Sequence, residues 1–94
     1  MVMEIRTVAQ GLEFPEGPVA LADGSVVLVE IAAGAVARIS GEGVKTVVAR
    51  PGGGPNGAAI GPGGKCYVCN NGGFEWQVEG GRKRPISQAK DYAG

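Results

Sequence analysis

Short apolar stretches separated by glycine-rich breaks run along the whole chain, and no apolar spacing of three and four residues lasts for the length of a helix. The pattern predicts an all-β chain with essentially no helix. Asp23-Gly24 predicts a hairpin with a two-residue turn, because Asp-Gly supplies the positive φ angles that such a turn requires. Predicted strands lie at residues 3–8, 19–21, 25–31, 35–39 and 44–49. The last four would form one antiparallel meander.

An internal repeat is the strongest feature of the sequence. Pro15-Glu16-Gly17 recurs forty residues later as Pro55-Asn56-Gly57, and in the same register Glu30 matches Asn70. A period near forty residues with about four strands in each unit is typical of β-propeller blades. The sequence therefore predicts about two blades of an incomplete propeller, with blade one at 15–50 and an incomplete blade two at 55–94.

Two such units are too few to close a ring, since propellers have four to eight blades and repeats of this kind generally need three units for stability. The 94-residue chain would be one domain or less. Either the chain is a fragment of a larger propeller, or several copies assemble. Three copies, for example, would supply six blades around one symmetry axis.

Charge and composition exclude several functions. Lys and Arg total nine and Asp and Glu total nine, so no net field favours binding to nucleic acid. The sequence shows neither an apolar run of the ~20 residues that a bilayer requires nor a secretory signal, so we expect a cytoplasmic protein without membrane contact. The absence of histidine excludes a Ser-His or Cys-His pair within the chain. Any chemistry must depend on carboxylates, amides or an ion.

Glu16 and its repeat partner Asn56 are the main candidates for a binding site. Flanking prolines stiffen the backbone at Glu16, and Gly17 permits a close approach, so the carboxylate would be held at the entry to the innermost strand. Ca²⁺ takes six to eight oxygen ligands, and carboxylate and amide oxygens are among them. We therefore expect Glu16 to be a metal ligand, with Asn56 beside it on the next blade. The alternative is that each is simply a polar turn residue.

Asn70 ends the second hairpin, and Phe74 and Trp76 follow within a few residues. This segment could form part of a pocket rim, with Asn70 as a substrate-binding residue. The alternative is a glycine-rich turn covered by aromatic side chains.

Three further motifs predict no site. Cys66 and Cys69 form a C-x-x-C motif, but this spacing in a strand directs the two sulfurs to opposite faces, so buried core thiols are expected. Residues 52–57 have the glycine spacing of a phosphate-binding loop without the helix that such a loop requires. Arg82-Lys83-Arg84 is expected to be a solvated loop without a partner.

The segment from Leu12 to Val19, with the later Ala22-Asp23-Gly24 and Val27 to Ile31, resembles the start of the gluconolactonase and regucalcin-like (senescence marker protein) family. Residues 53–64 and 67–76 are similar to bacterial lactonases of that family. The resemblance extends from about Val8 to Trp76 and implies a six-bladed β-propeller. It also implies that 1–10 forms the strand that closes the ring. Residues 77–92 would be a variable insertion before a third strand beginning at Tyr92-Ala93-Gly94.

The resemblance further implies hydrolysis of sugar lactones or related esters, with one divalent cation, usually Ca²⁺, in the central channel. Glu16 matches the first ligand of that cation, and Asn56 matches a position near the ion and the substrate. The remaining ligands and the general base would lie beyond this chain, so we assign it no catalytic residue. We expect an N-terminal fragment of a calcium-dependent lactonase that is inactive alone.

Two alternatives to an enzyme fragment follow from the same pattern. The chain could be a non-catalytic structural unit that completes a propeller by homo-oligomerisation. It could also be an interaction module that binds partners through its unpaired strand edges.

Overall fold

The structure, a computed structural model, describes residues 3–90 and Tyr92. Strands dominate it, and the predicted all-β class is confirmed. Apart from a single 3₁₀ turn at Pro62–Gly64, these residues form no helix. The strands are β1 (Pro15–Ala20), β2 (Val26–Glu30), β3 (Ala35–Ile39), β4 (Lys45–Ala49), β5 (Pro55–Ile60), β6 (Cys66–Asn70), β7 (Phe74–Glu79) and β8 (Arg82–Gln88). Nothing in this described part is a helix long and apolar enough to cross a membrane.

The first four strands form one antiparallel sheet in the order β1-β2-β3-β4, which confirms the predicted meander. The strand predicted at residues 3–8 is wrong, because residues 3–14 contain no strand. This segment instead packs Ala9 and Leu12 against β2 and β3. Met1 and Val2, at the start of the predicted closing strand, lie outside the described residues.

Both faces of the first sheet are covered. Successive residues of a strand point to opposite faces, so the Leu28 side chain points away from the face that carries Val27 and Val29. Leu28, together with Ala37 and Ile39, is covered by the N-terminal segment. On the other face, Val27, Val29 and Val36 pack against side chains of the second hairpin. The main core therefore lies between the two repeated units.

The second hairpin, β5–β6, repeats the register of β1–β2. In each hairpin the first strand is irregular near its start, next to Glu16 in one and to Asn56 in the other. Equivalent positions pair in the two hairpins: Pro15 with Glu30 and Pro55 with Asn70, then Val19 with Val27 and Ala59 with Tyr67. Beyond the ladders, the Ile31 N–H donates to the Phe14 carbonyl and the Asn71 N–H to the Gly54 carbonyl. The sequence repeat is thus also a repeat of hydrogen bonding.

The loop after β1 corrects the predicted two-residue turn. Gly24 has a positive φ of 86°, whereas Asp23 does not. The Leu21 N–H donates to the Ser25 carbonyl at 2.8 Å, so the loop has three residues and ends on a left-handed glycine. The same closing bond occurs forty residues later, where the Gly61 N–H donates to the Lys65 carbonyl at 2.8 Å.

The hairpin β7–β8 was not predicted. It turns at Gly80-Gly81, where φ is 59° and 78°, and paired positive φ angles favour a two-residue hairpin turn. Arg82-Lys83-Arg84 lies in β8 and not in a loop, although its side chains are exposed. Within the described residues β7 pairs with β8 rather than with β6. The second repeated unit is therefore the two-stranded sheet β5–β6, and β7–β8 is a separate sheet. Ala93 and Gly94, where a third strand was predicted to begin, lie outside those residues.

Candidate functional site

The first strands of the two units, β1 and β5, meet at a glycine contact. Gly17 has a φ of 57°, and a Cβ atom added to it would lie 3.0 Å from both the Gly57 Cα and the Ala58 N. Such a separation is tighter than most real Cβ contacts, so glycine at position 17 allows the strands to approach. Glu16 and Asn56 each precede one of the facing glycines, and both are exposed. The structure therefore brings these two candidates to the same junction.

Glu16 and Asn56 offer a carboxylate and an amide, which are suitable oxygen ligands for a hard cation. Among the residues that the structure describes, no three His, Cys, Asp or Glu side chains come together as a metal site. A six- to eight-coordinate ion at this junction would therefore take most of its ligands from elsewhere.

Asn70, the third candidate, bonds to backbone through both ends of its amide. Its Oδ1 accepts hydrogen bonds from the N–H of Gly54 at 3.0 Å and of Gly72 at 2.9 Å. Its Nδ2 donates to the Gly52 carbonyl at 2.8 Å. The side chain thus connects the segment before β5 to the turn after β6. Its predicted contact with a substrate stays a prediction, and the structure adds a role in positioning this backbone.

Glu30 has the same role in the first unit, which the sequence analysis missed. Its side chain is fully buried, and its Oε1 accepts a hydrogen bond from the Glu13 N–H at 2.8 Å. Its Oε2 lies 2.7 Å from the Lys45 Nζ as an ion pair, although the angles are outside those of a hydrogen bond. A polar residue at the same point of both repeats was the available signal. Each unit uses it to hold the chain entering its first strand.

An aromatic cluster lies beside this backbone. The Trp76 ring centroid is 5.2 Å from that of Phe14 and 5.7 Å from that of Phe74, the second pair being edge to face. Phe14 has a φ of 57°, which is unusual for a bulky residue. The cluster borders an open cavity of about 490 Å³. Its walls are Ala32, Pro51, Gly52, Gly53, Asn70, Gly72, Gly73, Phe74, Trp76 and Ala89. Asn70, Phe74 and Trp76, the residues of the predicted pocket rim, therefore line part of one open cavity.

Two ion pairs lie at the surface, and one of them involves Glu13, which precedes β1. The Lys83 Nζ donates to the Glu13 Oε1 at 2.6 Å, and this hydrogen bond, with the lysine charge, lowers the pKa of Glu13. Lys83, which was expected to be solvated, thus makes an ion pair within the chain. On the loop after β1, hydrogen bonds from Ser25, followed by the charge of Arg38, lower the pKa of Asp23.

The two cysteines correct another prediction. Both thiols are exposed and free, whereas buried core thiols were expected. The reason lies in the burial of the second hairpin. Its strands cover the first sheet mainly through Ala58 and Val68, and most other β5–β6 side chains are exposed.

Comparison with known proteins adds no assignment: no protein-family model matches the chain, and no curated protein matches it.

Proposed function

We propose that this chain is the N-terminal part of a lactone hydrolase of the β-propeller type that depends on a divalent cation, with Ca²⁺ as the preferred ion. The observation that carries the proposal is the junction of the two repeated units. There the equivalent residues Glu16 and Asn56 flank the contact between Gly17 and Gly57. The resemblance of residues 8–76 to gluconolactonases supports the same assignment.

The two side chains would have different tasks. The Glu16 carboxylate would hold the ion, and its exposure leaves both oxygens free to coordinate. The Asn56 amide would orient the lactone or ester by hydrogen bonding beside the ion. When bound, a cation of this kind polarises the carbonyl and stabilises the developing oxyanion. Asn70 would act on the substrate side by fixing the glycine segment along the aromatic cavity.

One carboxylate and one amide are a weak site on their own. We therefore expect this chain to bind Ca²⁺ with a dissociation constant of about 1 mM or weaker, in the range of low-affinity protein sites. We also expect no hydrolysis of a sugar lactone above the buffer rate, because we assign no general base to any of the described residues.

A calcium titration followed by amide chemical shifts would test the cation site. The expected result is a set of saturable shifts centred on residues 15–18 and 55–58. Glu16→Gln should abolish them, whereas the control Glu42→Gln, which removes an exposed carboxylate from a loop after β3, should leave them unchanged. Shifts that persist in Glu16→Gln, or that centre on another carboxylate, would contradict the proposal.

A further inference from the structure

The second hairpin has one covered face and one exposed face. Ala58 and Val68 pack onto the first sheet. The cross-strand pair Ala59 and Tyr67, with Cys69 two residues further along β6, points the other way. Tyr67 is 57% exposed, and Cys69 is exposed as well. These three residues form what we call the Tyr67 face.

The repeat shows how such a face is used. A shift of forty residues places Val27 and Val29 of the first unit on Tyr67 and Cys69 of the second. In the first unit these valines are buried, and the second unit covers them. The Tyr67 face is therefore equivalent to a surface that already binds a repeated unit within this chain.

The Tyr67 face keeps the bulk of the equivalent surface on the first unit, although its residues differ. Leu21 packs against the core between the units, and its repeat partner is Gly61. The Tyr67 ring lies against Gly61 so closely that a Cβ at that position would overlap it. The larger side chain at position 67 thus fills the space that the missing side chain at 61 leaves. The second unit presents a packing surface, rather than a polar terminal face.

The same forty-residue shift identifies the surface that would fit the Tyr67 face. Ala58 and Val68, which dock on the first unit, correspond to Pro18 and Leu28. Leu28 belongs to the face of the first sheet that Ala9 and Leu12 cover. Those two side chains lie in a segment without a strand, whose residues 3–8 are all exposed. The Leu28 face is therefore covered by a segment that forms no strand and contacts this face through Ala9 and Leu12.

We propose that the Tyr67 face binds a second copy of this chain head to tail, through the Leu28 face of its first sheet, as residues 3–12 move aside. Docking requires residues 3–12 to leave this face, and the open space around Gly11, where no atom lies within 4 Å of an added Cβ, leaves room for that change. Because the formal charge of the chain is zero, no net repulsion opposes the approach of two copies. Because the two faces differ, a head-to-tail dimer still exposes one Tyr67 face and one Leu28 face. Association therefore continues beyond dimers.

The first test uses the two native cysteines of the full chain. Cys69 lies on the Tyr67 face, whereas Cys66 points the other way along the same strand and is the internal control. Between micromolar and millimolar protein, the rate of Cys69 modification by a maleimide should fall several-fold while that of Cys66 stays constant. Equal rates at all concentrations would overturn the proposal.

Sedimentation gives a second measurement. The average mass of the native chain should rise with concentration, and Tyr67→Glu should keep it at the monomer value. Tyr92→Glu, which changes another exposed aromatic residue outside this face, should behave like the native chain. A native chain that stays monomeric over this range, or equal association of all three proteins, would refute the binding surface.

The direction of docking needs a mixed sample. Isotope-labelled Tyr67→Glu still carries an intact Leu28 face, so adding unlabelled native chain should shift its amide signals around Leu28, Ile39 and Leu12. A two-fold contact between Tyr67 faces would leave these signals unchanged and would overturn the head-to-tail proposal. None of these measurements involves Glu16, so their outcome is independent of the calcium titration.

Discussion

Replacing Asn70 by alanine should destabilise the protein by removing three hydrogen bonds at once. The partners on Gly54 and Gly72 are N–H groups of buried residues, and the partner on Gly52 is a carbonyl. A hydrogen bond contributes about 0.5–1.5 kcal/mol net, with the larger cost where a buried donor loses its partner. Assigning about 1 kcal/mol to each N–H bond and about half that to the exposed carbonyl bond gives a total of roughly 2–3 kcal/mol.

Urea denaturation followed by circular dichroism would measure this loss. With an m-value of about 1–2 kcal/mol/M, which is usual for a small protein, the midpoint should fall by roughly 1–3 M at constant m. Asn70→Asp keeps the acceptor for both N–H groups and loses only the donor, so its midpoint should lie between those of the native chain and the alanine variant. The graded series separates the role of the acceptor from that of the donor.

Asn56→Ala is the matched control, because Asn56 is an exposed asparagine in the same unit that makes no side-chain hydrogen bond within the described residues. It should change the free energy of unfolding by less than about 0.5 kcal/mol. The reasoning fails if Asn70→Ala is as stable as the native chain, or if both alanine variants lose the same amount.

Two further outcomes follow from the geometry. Gly17→Ala should lower the free energy of unfolding by about 1–2 kcal/mol, because alanine there must adopt a positive φ and press on the facing strand. Gly57→Ala has open space and no positive φ, so in the same urea assay it should be neutral or slightly stabilising. Folding lowers the pKa of Asp23, so its carboxylate stabilises the native state above the usual titration range and this contribution disappears as the pH falls through the folded pKa. The difference in Tm between the native chain and Asp23→Asn should therefore shrink between about pH 6 and pH 2, and a constant difference would exclude the Ser25 and Arg38 contacts as its cause.

The repeat carried most of what the sequence could predict. Proline and glycine mark the start of each first strand, and alternating apolar residues follow, so the repeated hairpins could be read from local chemistry. The strand β1, however, begins at Pro15, four residues before the predicted strand at 19–21. The repeat also predicted that Glu16 and Asn56 occupy equivalent places. Their meeting at one junction could be expected because units of this kind pack side by side.

Other features depend on contacts that a strand pattern does not encode. Residues 3–8 have the composition of a strand, but Ala9 and Leu12 anchor the segment on a sheet face, where it has no ladder to join. In the sequence, Glu30 cannot be distinguished from other carboxylates at strand ends, because its hydrogen-bond donor, the Glu13 N–H, lies 17 residues away along the chain. The β7–β8 hairpin was missed because charged residues fill β8, although Gly80-Gly81 is a turn signal.

The close approach of Gly17 to Gly57 also limits which side chains this junction can accept. The residue at position 17 lies directly between the first strands of the two units, so its size sets their closest separation. Glycine, with only a hydrogen atom in place of a side chain, allows the smallest separation. Any larger residue at this position would have to push β1 and β5 apart, and the packing of Ala58 and Val68 on the first sheet would loosen with it.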